Sequence, residues 1–334
     1  MTLNKKHYIL PLIIMMSWSM DFNAQDFHLS QHDAAPLYLN PGLVGQFDGK
    51  YRVHGHYRTQ WGSLSSKSYK TAAISFDMPF DKMAFGAQII NRRAGAGDYN
   101  ALGILLNGGY SFTIDNEQTH KFSIGLQLGA IQKSVDFNQL YFEDQYTTVG
   151  GGTFDQSLPN GETFGNSSFW LPDLNIGFVY YYGKDQKRVN PFLGVSAFHL
   201  TQPNETFYGE ESKLPIRYIG HGGAKVNLSE KIQLMPKLLF MRQENAQEIN
   251  YGLMVHYHLK GSSAIILFGP TYRSADAFII EAGAKIGSYE AKIGYDFNTS
   301  ELNDFSDGKG GFEISLTYIP QIFKPNPIQN CPRI

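Results

Sequence analysis

The strongest constraint on this chain is a repeated alternation of apolar and polar residues with a period of two. The first such segment, 51–61, divides into an apolar set and a polar set: Tyr51, Val53, Tyr57 and Trp61 against Arg52, His54, His56, Arg58 and Gln60. Successive side chains of a β-strand point to opposite faces, whereas an amphipathic helix would place apolar residues three and four apart. The segment is therefore predicted to be a strand with one apolar face and one strongly polar face.

The same alternation recurs until it accounts for about fourteen strands. The clearest further segments lie at 71–78, 102–112, 122–129, 248–259, 289–298 and 312–318, and weaker ones at 83–91, 172–182, 191–200, 216–228, 231–242, 264–273 and 277–287. An even number of amphipathic strands is typical of an antiparallel up-and-down transmembrane β-barrel. Because proline cannot donate to a strand ladder, we expect bulges or shifted boundaries at Pro236 and Pro270.

The predicted connections alternate between mostly short and mostly long. Short ones fall at 79–82, 229–230, 260–262 and 287–288, and long ones at 92–98, 136–171, 201–215 and 298–309. Outer-membrane barrels have short periplasmic turns and longer extracellular loops. The pattern therefore predicts an outer-membrane, multi-pass protein with both termini in the periplasm.

Composition supports this class over a soluble enzyme. Aromatic residues make up 14% of the 334 residues and charged residues only 17%, against roughly 25% in soluble domains. The mean hydropathy of −0.28 is too polar for a helical membrane protein. The net charge of −2 lacks the basic excess of a nucleic-acid-binding protein. The soluble alternative is a large β-sandwich or solenoid, where so many strands with aromatic-rich apolar faces would be unusual.

The chain is predicted to contain four regions. Residues 1–24 read as a signal peptide, with Lys5 and Lys6 before a short apolar run and cleavage after Ala24. Residues 25–50 do not alternate and are expected to form an irregular N-terminal periplasmic segment. The barrel spans 51–319, and 320–334 is a proline-rich periplasmic tail.

No motif points to catalysis or to a cofactor. Two His-x-His pairs, His54 with His56 and His256 with His258, are open to a zinc or copper interpretation or to a simpler one as polar lumen residues. The glycine run at 150–152 lacks the Lys-Ser/Thr of a phosphate loop, and no Gly-x-Ser-x-Gly elbow occurs. We therefore predict a non-enzymatic protein without a metal or cofactor.

Charged residues gather on the face predicted to line the lumen: Arg52, Arg58, Asp77, Glu281, Lys285, Glu290, Lys292, Asp296 and Glu313. Buried charges need partners, so these residues could form a polar network that packs the interior. They could equally line a lumen that binds a polypeptide or passes solutes, and the sequence leaves both possibilities open.

Several motifs resemble those of the PorP/SprF family of type IX secretion system membrane proteins. They are QDFHLSQ at 25–31, PLYLNPGLVG at 36–45, YRTQW at 57–61, GYDFN at 294–298, FEISL at 312–316 and CPRI at 331–334. The resemblance covers essentially the whole chain after the signal peptide.

The resemblance implies a protein-binding role. Family members work with periplasmic ring and peptidoglycan-binding lipoproteins of the secretion system, or serve one large secreted adhesin in export, surface attachment or gliding. The motif residues carried over as partner-binding candidates are Asn40, Pro41, Arg58, Gln60, Trp61, Asp296, Cys331, Pro332 and Arg333. The alternative function is a general or substrate-specific porin, which needs an open lumen.

Overall fold

The computed structural model describes residues 26–62, 67–95, 97–148, 151–183, 187–209, 211–300 and 303–321. The predicted signal peptide, most of the predicted tail, and the candidates Cys331, Pro332 and Arg333 lie outside these residues. Within the described part, no helix is long and apolar enough to cross a bilayer.

Fourteen antiparallel strands close into a barrel. They are β1 (Arg52–Gln60), β2 (Tyr69–Phe80), β3 (Met83–Ala94), β4 (Tyr99–Thr113), β5 (His120–Ser134), β8 (Ser168–Tyr182), β9 (Val189–Phe198), β10 (Arg217–Asn227), β11 (Ile232–Gln243), β12 (Ala246–His258), β13 (Ala264–Arg273), β14 (Ala277–Ile286), β15 (Tyr289–Asn298) and β16 (Lys309–Tyr318); two short strands, β6 (Tyr146–Thr147) and β7 (Thr153–Phe154), form a hairpin in the loop between β5 and β8. Each barrel strand pairs with its neighbours in chain order, and β1 pairs with β16 to close the barrel. The predicted fold class and strand number are confirmed.

The bulges and shifted boundaries expected at two prolines do not occur. Pro236 pairs opposite Leu253 and Pro270 opposite Ile280, and both registers stay constant. Each proline also faces a second neighbouring strand. Within these described strands, the β10–β11 ladder lacks the residue pair that would include Pro236, and the β12–β13 ladder lacks the pair that would include Pro270. The missing N–H therefore falls at a break in the ladder, and no bulge is needed.

The two faces of the wall have opposite chemistry. Large apolar side chains such as Ile74, Leu106 and Phe268 point outward and are more than half exposed. A continuous apolar surface of this kind is unusual on a soluble protein and is the lipid-facing band of a barrel. Polar side chains such as Gln127 and Asn175 point inward and are buried.

Aromatic pairs mark both ends of the wall. Trp61 lies 4.8 Å from Tyr69 at the long-loop end, while Tyr289 lies 4.8 Å from Tyr318 at the short-turn end. Such girdles sit at the membrane–water interfaces of transmembrane barrels. They bracket the apolar band and fix which part of each strand lies in the bilayer.

The connections show the predicted asymmetry. Two residues, Gly287 and Ser288, connect β14 to β15, whereas residues 135–167 and 199–216 form large loops at the opposite end. The turn between β4 and β5 is held by Asp115, which accepts hydrogen bonds from the Thr119 hydroxyl at 2.7 Å and the backbone N–H groups of Thr119 and His120. The Thr119 hydroxyl and these N–H groups lower the pKa of the Asp115 carboxyl to about 2.

The structure corrects the expected location of the N-terminal segment. Residues 26–50, with a short helix α1 (Pro36–Leu39) and a 3-10 turn (Pro41–Leu43), lie inside the barrel rather than beyond its end. Leu37, Leu43 and Val44 are buried against the strand walls. The segment carries too many apolar residues to remain solvated, and the barrel interior supplies the surface that covers them.

A charge on the lipid-facing side should destabilise the barrel. Leu126 lies in the middle of β5 and is half exposed outward. We expect Leu126→Lys to cost about 2–4 kcal/mol, the usual penalty for a lysine or arginine at the bilayer midplane. Urea unfolding in lipid vesicles measures this loss of stability, with Leu126→Ile as the control. Equal unfolding midpoints for the two variants would contradict the assignment of Leu126 to the lipid-facing side.

Candidate functional site: the lumen plug and its attachments

Residues 26–50, which we call the lumen plug, run through the barrel from the long-loop end to the short-turn end. At the first end the backbone N–H of Asp26 donates to Gln243, the last residue of β11. At the other end the N–H of Lys50 donates to the carbonyl of Pro320. The plug then continues directly into β1, so the wall and its filling are one continuous chain.

Four separate sequence motifs meet at one buried point. The backbone N–H groups of Ser30 and Gln31 donate to the two carboxylate oxygens of Glu313 at 2.6 and 2.8 Å. The Ser30 hydroxyl donates to Asp296 at 2.7 Å, and the Ser315 hydroxyl donates to the Gln31 side chain at 2.7 Å. The plug is thereby bound to β15 and β16 by hydrogen bonds to charged groups, which are the stronger kind.

Arg58 completes this motif network from β1. Its guanidinium lies 2.9 Å from both Asp296 and Glu313 and donates to the carbonyl of His28 at 2.7 Å. Arg58 is 1% exposed and Glu313 is fully buried. Because β1 and β16 pair to close the barrel, the network joins the plug to the closure seam.

A second ion cluster fixes the middle of the plug. The Asp33 carboxylate lies 3.1 Å from the ammonium of Lys292 and 3.2 Å from that of Lys237. Lys237 also lies 2.9 Å from Glu281. Two wall lysines and one wall carboxylate would leave an excess of buried positive charge, and Asp33 from the plug compensates it.

A third cluster holds the start of the plug at the long-loop end. The Asp26 carboxylate lies 2.7 Å from His199, 3.2 Å from Arg92 and 3.4 Å from Arg217. On its other side His199 lies 2.9 Å from Asp173. Strands β3 and β10 and the loop after β9 therefore converge on one carboxylate of the plug, and β8 is linked to it through His199.

Glycines make room for the centre of the plug. A Cβ added at Gly125 would overlap the carbonyl oxygen of Pro41, and one at Gly177 would overlap the side chain of Asn40. Asn40 donates to the carbonyls of Phe178 and Val195, both at 3.1 Å. The wall backbone thus approaches the plug too closely for any side chain at these glycines.

The structure distributes the partner-binding candidates unevenly. Asn40, Pro41, Arg58 and Asp296 are buried in the plug and its attachments, where their described contacts are internal. Gln60 and Trp61 stand half-buried at the long-loop rim. Four of the six candidates that lie in the described residues therefore belong to the plug or to its attachments.

The remaining lumen candidates are also placed inside. Arg52 and Asp77 form a bidentate ion pair, with nitrogen–oxygen distances of 2.9 and 2.7 Å. Lys285 and Glu290 face each other in register across β14 and β15 and line a cavity of about 170 Å³ at the short-turn end. A smaller cavity of about 40 Å³ lies beside Asp26 at the other end.

The histidine pairs do not assemble a metal centre. His54 lies 2.9 Å from Thr317 and His56 lies 3.3 Å from Glu313, while His256 and His258 line the larger cavity. In the described ranges, no three His, Cys, Asp or Glu side chains come together as a metal-binding group.

The anchoring roles of Asp26 and Asp33 were not predicted from the sequence pattern. Their wall partners include Lys237, Arg217 and His199, which come from weakly alternating strands or a loop. The sequence feature that could have indicated these anchors is a leucine-containing segment without alternation that carries three carboxylates, Asp26, Asp33 and Asp48. Such a segment next to a barrel with a charged lumen face indicates a filling for that lumen.

The fold and the interior define the class of protein: an outer-membrane β-barrel whose lumen is filled by its own N-terminal segment. The chain belongs to the family described as type IX secretion system membrane protein PorP/SprF, whose model matches residues 21–318.

Solved structures similar to this chain share its architecture at low sequence identity. The CymD monoaromatic hydrocarbon channel has a TM-score of 0.50 at 10% identity, covering 87% of this chain and 94% of its own. A TodX monoaromatic hydrocarbon channel mutant has a TM-score of 0.52 at 9% identity, covering 86% and 94%. At such identity the likeness shows the barrel fold alone. No curated protein matches the chain.

Removing the Glu313 charge should loosen the plug. Glu313→Gln removes one of the negative charges buried beside Arg58 and weakens the hydrogen bonds that the N–H groups of Ser30 and Gln31 donate to this side chain. We therefore expect the free energy of unfolding to fall by about 3 kcal/mol. Amide hydrogen exchange across 26–50 should also become faster. The matched control is Glu230→Gln, at an exposed turn position, which should change stability by less than about 0.5 kcal/mol. Unchanged exchange in the plug of Glu313→Gln would refute the anchoring role.

Adding one methyl group at the glycine contact should displace the plug. Gly125→Ala meets backbone atoms of Pro41 that cannot rotate away, so overpacking should cost about 1–3 kcal/mol. Gly220→Ala is the control, because nothing lies within 4 Å of its added Cβ. The midpoint of thermal unfolding, monitored by the change in gel mobility, is compared for the two variants. An equal decrease in both midpoints would show that the plug does not press on this wall.

Proposed function

We propose that this chain is a non-enzymatic component of the type IX secretion system in the outer membrane that binds protein partners at its ends. The observation that supports this proposal is that the plug fills the lumen. A conduit for solutes or polypeptide needs an open path, whereas here the plug lies along the barrel axis from one end to the other. A partner-binding barrel has no such requirement.

The energetics of the plug argue against the porin alternative. Opening the lumen would separate Asp26, Asp33 and the Ser30–Gln31 segment from buried charged partners in three places. Breaking one buried ion pair by removing a partner typically costs about 3–5 kcal/mol. Spontaneous departure of the plug is therefore unfavourable, and the function is better placed on the surfaces outside the lumen.

We infer that the principal partner is a dedicated secreted protein held at the long-loop end. That end carries the large loops 135–167 and 199–216, and loops of this size on a rigid barrel are where binding residues usually lie. The short-turn end offers mainly brief connections and the larger cavity. Ring and peptidoglycan-binding lipoproteins would contact that end, together with the tail 320–334.

A purification experiment tests this assignment. The tagged protein is recovered from detergent-solubilised outer membranes, its companions are identified by mass spectrometry, and the secretome of a deletion strain is compared with the parent. We expect one large secreted protein to co-purify and to be the only cargo lost from the cell surface on deletion. Loss of all cargo together with recovery of ring lipoproteins would make the chain a core secretion component instead. Recovery of neither kind of partner would refute the proposed function.

A further inference from the structure

The loop between β5 and β8 is a folded lobe with its own aromatic core. We call its described residues, 135–148 and 151–167, the outer lobe. Phe137 stacks on Phe164 with ring centroids 3.6 Å apart, and Phe137 also contacts Phe207 of the next large loop at 5.9 Å. The buried Gln145 donates to the carbonyl of Leu158 and accepts from the N–H of Phe142. The lobe therefore has a defined shape that is fixed to the barrel rim.

The opposite side of the lobe presents aromatic rings to solvent. Tyr141, Tyr146 and Phe154 are 59%, 52% and 47% exposed, and Phe154 lies 5.4 Å from Tyr141 and 5.3 Å from Tyr146. Tyr141, Phe154 and Leu158 line a shallow cleft of about 530 Å³. These rings are grouped rather than scattered, and grouped exposed apolar residues mark interaction sites.

The lobe has a charge of one sign only. Residues 136–167 contain five acidic residues and no lysine or arginine. Glu143, Asp144, Asp155 and Glu162 are all exposed. A binding surface of this kind repels anionic lipid headgroups and favours a partner of opposite charge.

We propose that the aromatic cleft of the outer lobe is the docking surface for a protein face that combines arginine or lysine with apolar side chains. Cationic groups stack favourably over exposed tyrosine and phenylalanine rings, and the surrounding carboxylates attract the same groups from a distance. Apolar neighbours on the partner would fill the cleft beside Leu158. This inference rests on the proposed function, since its occupant is the secreted partner inferred there.

The test uses the full-length barrel and the secreted protein recovered in the purification experiment. Tyr141→Ala/Phe154→Ala removes the rings, and Glu143→Lys/Glu162→Lys reverses the charge. The matched control is Glu244→Lys/Asp304→Lys, which makes the same charge change at exposed positions of other connections at the long-loop end. We expect each lobe variant to raise the dissociation constant at least tenfold and the control less than twofold. Added salt should weaken the parent complex far more than the charge-reversed one.

Cross-linking identifies the occupant independently. A photoreactive amino acid at Tyr146 should capture a partner peptide that contains arginine or lysine. Capture of a second copy of this chain, or protection of the rings by polysaccharide alone, would overturn the inference. If the secreted protein co-purifies but binds both lobe variants as tightly as the parent, the inference fails while the proposed function stands. If no partner is recovered at all, it is the proposed function that fails.

Discussion

The structure depends on one requirement, that charges inside a closed barrel find partners. Eight strands leave an interior that side chains alone can fill, while sixteen leave a water-filled channel. With fourteen strands the wall cannot fill its own interior, yet it places Arg58, Lys237, Glu313 and other ionised groups there. The plug supplies what the wall lacks. Its carboxylates meet wall cations, its backbone N–H groups meet a wall carboxylate, and its apolar residues cover the rest.

This arrangement gives the sequence motifs a common physical explanation. Ser30 and Gln31 near the start of the chain, Arg58 in β1, Asp296 in β15 and Glu313 in β16 lie far apart in sequence but form one network. Because β1 and β16 also form the closure seam, the plug and the closed wall stabilise each other. The motif residues of this network are therefore buried, and the surfaces exposed outside the lipid-facing band are the loops and the rims.

Much of the fold could be predicted from the sequence because strand alternation is a local signal. The polar set that begins with Arg52, His54 and His56 points inward as predicted, and the longest connections lie at one end of the barrel as expected. The position of residues 26–50 was not predictable in this way. Those residues show no periodicity, and their place is fixed by contacts with strands more than two hundred residues away, such as Glu313. The bulges predicted at Pro236 and Pro270 are absent for a related reason. Whether a proline disrupts a ladder depends on which neighbouring strand its nitrogen faces.

The plug should keep the barrel lumen closed to ions. Ion conductance of the intact, purified protein in planar lipid bilayers tests it most directly, with a general porin measured under the same conditions as a reference for an open pore. We expect no sustained current above the background of the bilayer, because the plug is bound at both ends and in the middle. A steady, ohmic current through the intact protein would contradict it and would restore the porin interpretation.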